Sequence, residues 1–163
     1  TMDDSVIVLK IKEDFMQKDF NEMLGRISVT SHEGRVLLTG SVTDQNFADE
    51  AVKMAWVVRG VKEVLNEIVT SPKDLKDYTK DSLIANTVRS KLLFEKDLRS
   101  VNYSVDVNNA VVYLIGVAQN QAELDKALKI ASSVKGVKRV VNYVILKDDP
   151  RRISGAMFKK KEK

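Results

Sequence analysis

A single histidine, His32, stands beside Glu33 and Gly34, and it is the first place to look for chemistry in a chain of 163 residues without cysteine. An imidazole next to a carboxylate suits proton transfer or metal ligation. A zinc site, however, draws three or four ligands from His, Cys and carboxylates, and one histidine in a stretch that reads as a hairpin turn supplies too few. No metal and no cofactor are expected. The serines offer no more, because Ser100, Ser104, Ser132 and Ser133 lack the glycine-flanked elbow that exposes a nucleophile. Neither G-x-G-x-x-G nor G-x4-G-K-[ST] occurs to cradle a phosphate. No catalytic residue is assigned, and the expectation is a protein that is not an enzyme.

Residue types that do suggest chemistry lie between Leu83 and Arg99, in LIANTVRSKLLFEKDLR. Ile84, Val88 and Leu92 recur at four-residue spacing and fill the inward face of a helix. Leu83, Leu93 and Phe94 flank that stripe, while Arg89, Lys91, Lys96 and Arg99 lie along or just beyond the same helix. Apolar groups beside bases suit a helix lying at a membrane interface, where each base gains about 1 kcal/mol from anionic lipid. Leu93 and Phe94 would equally close the core of a small unit or a seam between units, and the residues alone leave both readings open. The candidate lipid-binding set is Leu83, Thr87, Arg89, Lys91, Leu93, Phe94 and Lys96.

Charge sharpens the contrast between the two halves. Residues 1–72 hold eight Lys and Arg against twelve Asp and Glu, whereas 73–163 hold nineteen against eleven, so a net charge of +4 conceals −4 followed by +8. The second half is the one expected to seek anions. A hydrophobic content of 44% with 31% charged residues is that of a globular protein, and no run reaches the roughly 18 apolar residues of a membrane span.

The elements that must position these residues come twice. Gly60 to Val69 reads GVKEVLNEIV and Gly136 to Ile145 reads GVKRVVNYVI. Setting 27–69 on 103–145 gives sixteen identities in forty-three positions, mostly small or apolar, which marks a shared core. In each copy a helical pattern (Ile7, Ile11, Phe15; Ile84, Val88, Leu92) gives way to alternation around a turn, RISVTS-HEG-RVLLTGSV and NYSVDV-NNA-VVYLIGVA. Helical spacing then returns with Phe47, Ala51, Ala55 and Val58, and with Leu124, Ala127, Ala131 and Val134, before a last strand. Asp4 or Ser5, and Asp81 or Ser82, read as helix N-caps. Gly60 and Gly136 read as helix C-caps, and Ala110 at the place of Gly34 predicts a different second turn.

The spacing thus predicts an α+β protein of two tandem αββαβ units, each a three-stranded mixed sheet packed by two helices. The first unit is expected over 4–70, a linker over 71–79, the second unit over 80–146 and a basic flexible tail over 147–163. Val52 and Trp56, one step off the buried stripe of the second helix, are candidates for contact between units or with a partner.

The pattern V-x-L-x-G-x-V after the turn, then A-x3-A-x2-V-x-G-V-x2-V-x-N, resembles the BON domain, and it occurs at 36–66 and again, with Ala118 at the place of Val42, at 112–142. Gly40, Gly60, Gly116 and Gly136 are its structural glycines. A tandem pair is similar to the dual-domain members of the Gram-negative envelope. That resemblance implies a non-enzymatic periplasmic protein associated with the outer membrane and supporting its integrity or envelope stress tolerance. In the lipoprotein members the second domain binds anionic phospholipid through its first helix, matched here by Leu83 to Leu93. The opening TMDDS has no signal-peptide character and reads as a mature or trimmed start, and the lipidated cysteine of those members has no counterpart in this sequence. Two other readings stand beside this one. A protein-binding periplasmic scaffold or chaperone-like module would lack lipid affinity. A KH-like nucleic-acid module would need a G-x-x-G loop between two helices and an aromatic platform, and neither pattern is present. Nucleic acid and small-molecule substrates are not expected partners.

Overall fold

The computed structural model describes residues 3–72 and 76–153, which form two compact units divided near residue 75. In the first, α1 (Asp4–Lys18) runs through a π-helical turn (Phe20–Leu24) into β1 (Ile27–His32), β2 (Arg35–Val42), α2 (Gln45–Trp56) and β3 (Glu63–Thr70). In the second, α3 (Tyr78–Phe94) and a short 3-10 turn lead to β4 (Tyr103–Asn108), β5 (Val111–Ala118), α4 (Gln121–Ser133) and β6 (Arg139–Leu146), followed by a single turn, α5 (Pro150–Ile153). Each sheet places its middle strand in the centre, in the orders β1-β2-β3 and β4-β5-β6. The hairpin pairs antiparallel and the closing strand parallel, because a helix carries the chain back across the sheet. The two mixed sheets, each with two helices, are the architecture the duplicated periodicity predicts. Most of the tail, 154–163, and linker residues 73–75 lie outside the described residues.

The helical trios lie where four-residue spacing puts them. Ile7, Ile11 and Phe15 are fully buried, as are Val88 and, within a few per cent, Ile84 and Leu92. They meet the alternate residues Val36, Leu38 and Val42 of β2, or Val112, Leu114 and Ala118 of β5. Ala48, Ala51 and Ala55 on α2, and Ala127 and Ala131 on α4, keep side chains short where helix meets sheet. At Gly40 and Gly116 the preceding chain presses closer still. A Cβ there would come within 2.0 Å of the Arg26 carbonyl oxygen and 2.1 Å of that of Asn102, so the incoming strand can begin only over a bare backbone.

The caps differ from expectation in an instructive way. Asp3 caps α1 by accepting from the Ser5 N–H, and Asp77 caps α3 by accepting from the Lys80 N–H. Asp4 and Asp81 instead reach across to the hairpin turns. Asp4 accepts from the Glu33 and Gly34 N–H groups at 2.7 and 3.0 Å, and Asp81 from those of Asn109 and Ala110, both at 2.9 Å. The two turns are the same, contrary to the expectation drawn from Ala110. Glu33 and Gly34 have φ of 52° and 82°, Asn109 and Ala110 of 51° and 64°, the double left-handed geometry of a tight two-residue hairpin. Ala110 tolerates that conformation with its N–H held by a carboxylate.

Gly60 and Gly136 also serve differently. They sit at the third position of four-residue turns closed by Val61 N–H to the Val58 carbonyl and Val137 N–H to the Val134 carbonyl, both at 3.2 Å. With φ of 95° and 94° they supply the positive φ that a type II turn needs there, past the helix cap rather than at it. Asn66 and Asn142 accept from the N–H two residues on, at 3.0 and 2.9 Å, so each takes up a donor along an edge strand that would otherwise invite pairing.

Candidate functional site on the first helix of the second unit

Helix α3 is anchored at its start by charge. Lys76 Nζ lies 2.6 Å from Asp81 Oδ2 and donates to the Val107 carbonyl at 2.9 Å. Burial alone would raise the Asp81 carboxyl, but the Lys76 ammonium and the Ala110 and Asn109 N–H groups outweigh it and hold it below the usual carboxylate range. The helix is therefore bolted to the hairpin beneath it, and its outer face has a fixed aspect.

That outer face is apolar in part. Leu83, Leu93 and Phe94 are 67%, 63% and 83% exposed, so they neither close the core of their unit nor extend its buried stripe. Lys91 and Lys96 are exposed beside them, and neither forms an ion pair or hydrogen bond among the described residues. Arg89 is placed otherwise. Its guanidinium folds back to donate to the Val105 carbonyl at 2.8 Å and to Asn86 Oδ1 at 3.3 Å, and so, with Lys76, it covers the open edge of β4. Thr87 turns its hydroxyl onto the Leu83 carbonyl at 2.7 Å. Of the seven candidates, five present free apolar or cationic groups and two are engaged with the protein's own backbone.

Beyond the helix the chain adds an apolar residue that periodicity could not signal. Val101, in the turn before β4, is 85% exposed, and its short segment repeats too little to carry a pattern. The loop there is tied down by buried Glu123, which accepts from the Tyr103 hydroxyl at 2.8 Å and from the Gln119 and Arg99 N–H groups. Burial and the Glu123 carboxylate together push the Tyr103 hydroxyl well above its ordinary value. It remains a neutral donor.

The first unit carries a feature sequence reasoning passed over. On α1 and the turn after it, Val6, Leu9, Met16 and Phe20 are 49%, 66%, 47% and 60% exposed. In the sequence they are interleaved with Lys10, Glu13 and Asp14, so no unbroken apolar stripe marks them. Lys10 pairs with Asp14 at 3.4 Å and approaches Glu13 at 3.9 Å, while Lys12 and Lys18 are exposed; with three bases against Asp4, Glu13 and Asp14, α1 has no net charge, whereas α3 sets Lys80, Arg89 and Lys91 against Asp81 alone. Val52 and Trp56 are half-buried and pack against the core of their own unit. His32 ends β1 opposite Arg35, half-buried, rather than occupying the turn. Among the described residues no cluster of His, Asp and Glu could hold a metal, and no helix is long and apolar enough to cross a membrane.

Comparison with known proteins fits this duplicated geometry. The BON domain family model matches residues 3–72 and again 80–148. A protein of Anaplasma centrale, named for its place in the gshII 5′ region, is 39% identical over 93% of this chain and 99% of its own length. The outer membrane lipoprotein DolP of Haemophilus influenzae is 36% identical over 86% of this chain and 72% of its own. Osmotically-inducible protein Y of Escherichia coli is 37% identical over 86% and 71% respectively.

Proposed function

The chain belongs to the BON-domain family, and from that premise we propose that it is a non-enzymatic envelope protein that attaches reversibly to anionic phospholipid through the outer face of α3. Two of its relatives are named for the outer membrane and for osmotic induction, which supports a periplasmic place at the outer membrane and a role in envelope integrity or stress tolerance. One observation carries the lipid reading: Leu83, Leu93 and Phe94 stand exposed on α3, with the unpaired Lys91 on the same helix and Lys96 two residues past its end. An exposed leucine in water is unremarkable. Three large apolar groups among free cations fit an interface in which side chains enter the headgroup layer while bases meet phosphate.

Flotation with vesicles tests this. The protein is expected to rise with vesicles containing an anionic lipid and to stay behind with purely zwitterionic ones. Leu83→Glu combined with Phe94→Glu should abolish flotation while the melting temperature holds. Absence of binding to both vesicle types would end the lipid reading.

A second reading rests on α1. Exposed Val6, Leu9 and Met16, with Phe20 in the turn after it, on a helix whose bases and acids balance, favour a protein-docking role for the first unit, as in a periplasmic scaffold. A KH-like nucleic-acid role has no support, because within each unit a hairpin separates the two main helices and leaves no helix-loop-helix to clamp a phosphate backbone.

A further inference from the structure

Four strands border the two sheets, β1 and β3 in the first unit and β4 and β6 in the second. An edge strand leaves the backbone groups of alternate residues unpaired, and another chain can pair with them. Three of these edges have side chains on such groups. Asn66 and Asn142 take the Ile68 and Val144 N–H groups on β3 and β6. On β4, Arg89 and Lys76 donate to the Val105 and Val107 carbonyls at 2.8 and 2.9 Å. The edge of β1 differs. His32 and Arg35 flank its two-residue turn and so form a hydrogen-bonded pair across the hairpin, which turns the N–H and C=O of Val29 and Ser31 outward. Among the described residues these backbone groups have no hydrogen-bond partner.

The difference lies in one residue of the covering helix. Asp4 and Asp81 hold the turn ends of their hairpins, so α1 runs back along β1 as α3 runs back along β4, and Lys12 stands where α3 has Arg89. Arg89 folds onto its edge strand. Lys12 is exposed and forms no hydrogen bond or ion pair among the described residues.

We propose that the open edge of β1 takes an extended segment of another polypeptide as a fourth, antiparallel strand, one that carries an apolar residue and, two positions later, an acid. Residues opposite one another across an antiparallel pair share a face, and Val29 packs in the core beneath α1. The residue opposite Val29 therefore emerges beside Lys12, as Val105 lies beside Arg89, and an acid there meets the free ammonium. The residue opposite Ser31 emerges one helical turn earlier, beside half-buried Val8, which an apolar side chain covers. A helical turn of about 5.4 Å and two strand residues of about 6.8 Å keep these contacts in step. A second copy of this chain does not suit the edge. Antiparallel pairing of β1 with its own copy sets both α1 helices on one face, above strands about 4.8 Å apart, where helices about 10 Å across do not fit. Nor does β1 hold an acid to meet Lys12.

The full chain is titrated with the end-blocked peptide STVTETS while amide resonances are followed by NMR. The Val29 and Ser31 amides should shift saturably and exchange more slowly with solvent, while those of Val105 and Val107 stay unmoved. A peptide with lysine in place of glutamate should bind about fivefold more weakly, and one with proline in place of valine, which removes a pairing donor, should cause no shift. Lys12→Arg keeps the charge but supplies the guanidinium that closes the β4 edge, and should weaken the peptide about two- to tenfold. Equal binding to wild type and Lys12→Arg would mean attraction by charge alone and overturns the edge pairing, as do equal shifts in both units or none at all. Shifts at Val29 and Ser31 on concentrating the protein without peptide would give the edge to a second copy and overturn the assignment to an extended segment. Vesicle flotation reads a different unit, so this proposal and the lipid reading fall separately.

Discussion

At the scale of single residues, the most consequential side chain is one whose role the sequence disguised. Two adjacent acids open α1 and an acid opens α3, and N-capping is the ordinary reason for an acid there. Asp4 and Asp81 spend both oxygens on the hairpin turns instead, a long-range contact no local pattern reveals. Asp81 carries a depressed carboxyl, so the stability it contributes is present above the unfolded value of about 3.9 and is lost as pH falls through its lower folded value. Thermal melts of the full chain should fall steeply in acid below about pH 4. In Asp81→Asn the melting temperature at pH 7 should drop, by the equivalent of about 2 kcal/mol for a lost charged hydrogen bond, and that acid-sensitive component should be missing.

The turns themselves invite a paired substitution. Ala110 already adopts a left-handed conformation, which costs a residue with a Cβ about 1–2 kcal/mol. Ala110→Gly relieves that strain but gives up a buried methyl worth about 0.8 kcal/mol and about 0.4–1 kcal/mol through the freer unfolded chain, so chemical denaturation should show a change within about 1 kcal/mol of zero. Gly34→Ala is a different case at the equivalent position. Its Cβ would lie 2.5 Å from the Gly60 carbonyl oxygen, and the loss should be about 2–3 kcal/mol. Equal tolerance at both sites would contradict the packing of Gly34 against the Val58–Val61 turn of its own unit.

At the scale of elements, helix and strand were legible because the core speaks through period. Every member of the two helical trios is buried, whereas β2 and β5 are buried along nearly their whole length, so their hairpins were legible from the turns that bound them rather than from alternation. What stayed illegible was the outward half of each helix. Leu93 and Phe94 read equally as core closers, since an apolar side chain beside a buried stripe looks the same whether the neighbouring space is filled or empty. Arg89 read as a surface cation because nothing local announces that the open carbonyl of Val105 lies within its reach. The two faces of α3 should separate cleanly on mutation. Leu92→Ala, at a position 1% exposed, should cost roughly 2–5 kcal/mol in denaturant unfolding. Leu83→Glu should stay within about 0.5 kcal/mol of wild type, and a large loss there would return that leucine to the core.

At the scale of the whole molecule, duplication kept the architecture and let the charge drift, to −4 over residues 1–72 and +8 over 73–163. If attachment runs through the second half, its salt dependence should have two parts. Lys91 and Lys96 act through solvent, where screening shortens their reach from about 10 Å at 0.1 M salt to about 3 Å at 1 M. The electrostatic share of binding to anionic vesicles should therefore fade across that range. The apolar share, from Leu83, Leu93 and Phe94, does not screen and should persist as a residual affinity that salt cannot remove. Measuring vesicle partitioning of the full chain from 0.05 to 1 M sodium chloride separates the two. Lys91→Gln with Lys96→Gln should flatten the curve at its low-salt end, and Leu83→Glu with Phe94→Glu should remove the high-salt plateau. A curve that falls to nothing in wild type would mean the exposed apolar groups of α3 never enter the headgroup layer, and attachment would then be purely a matter of charge.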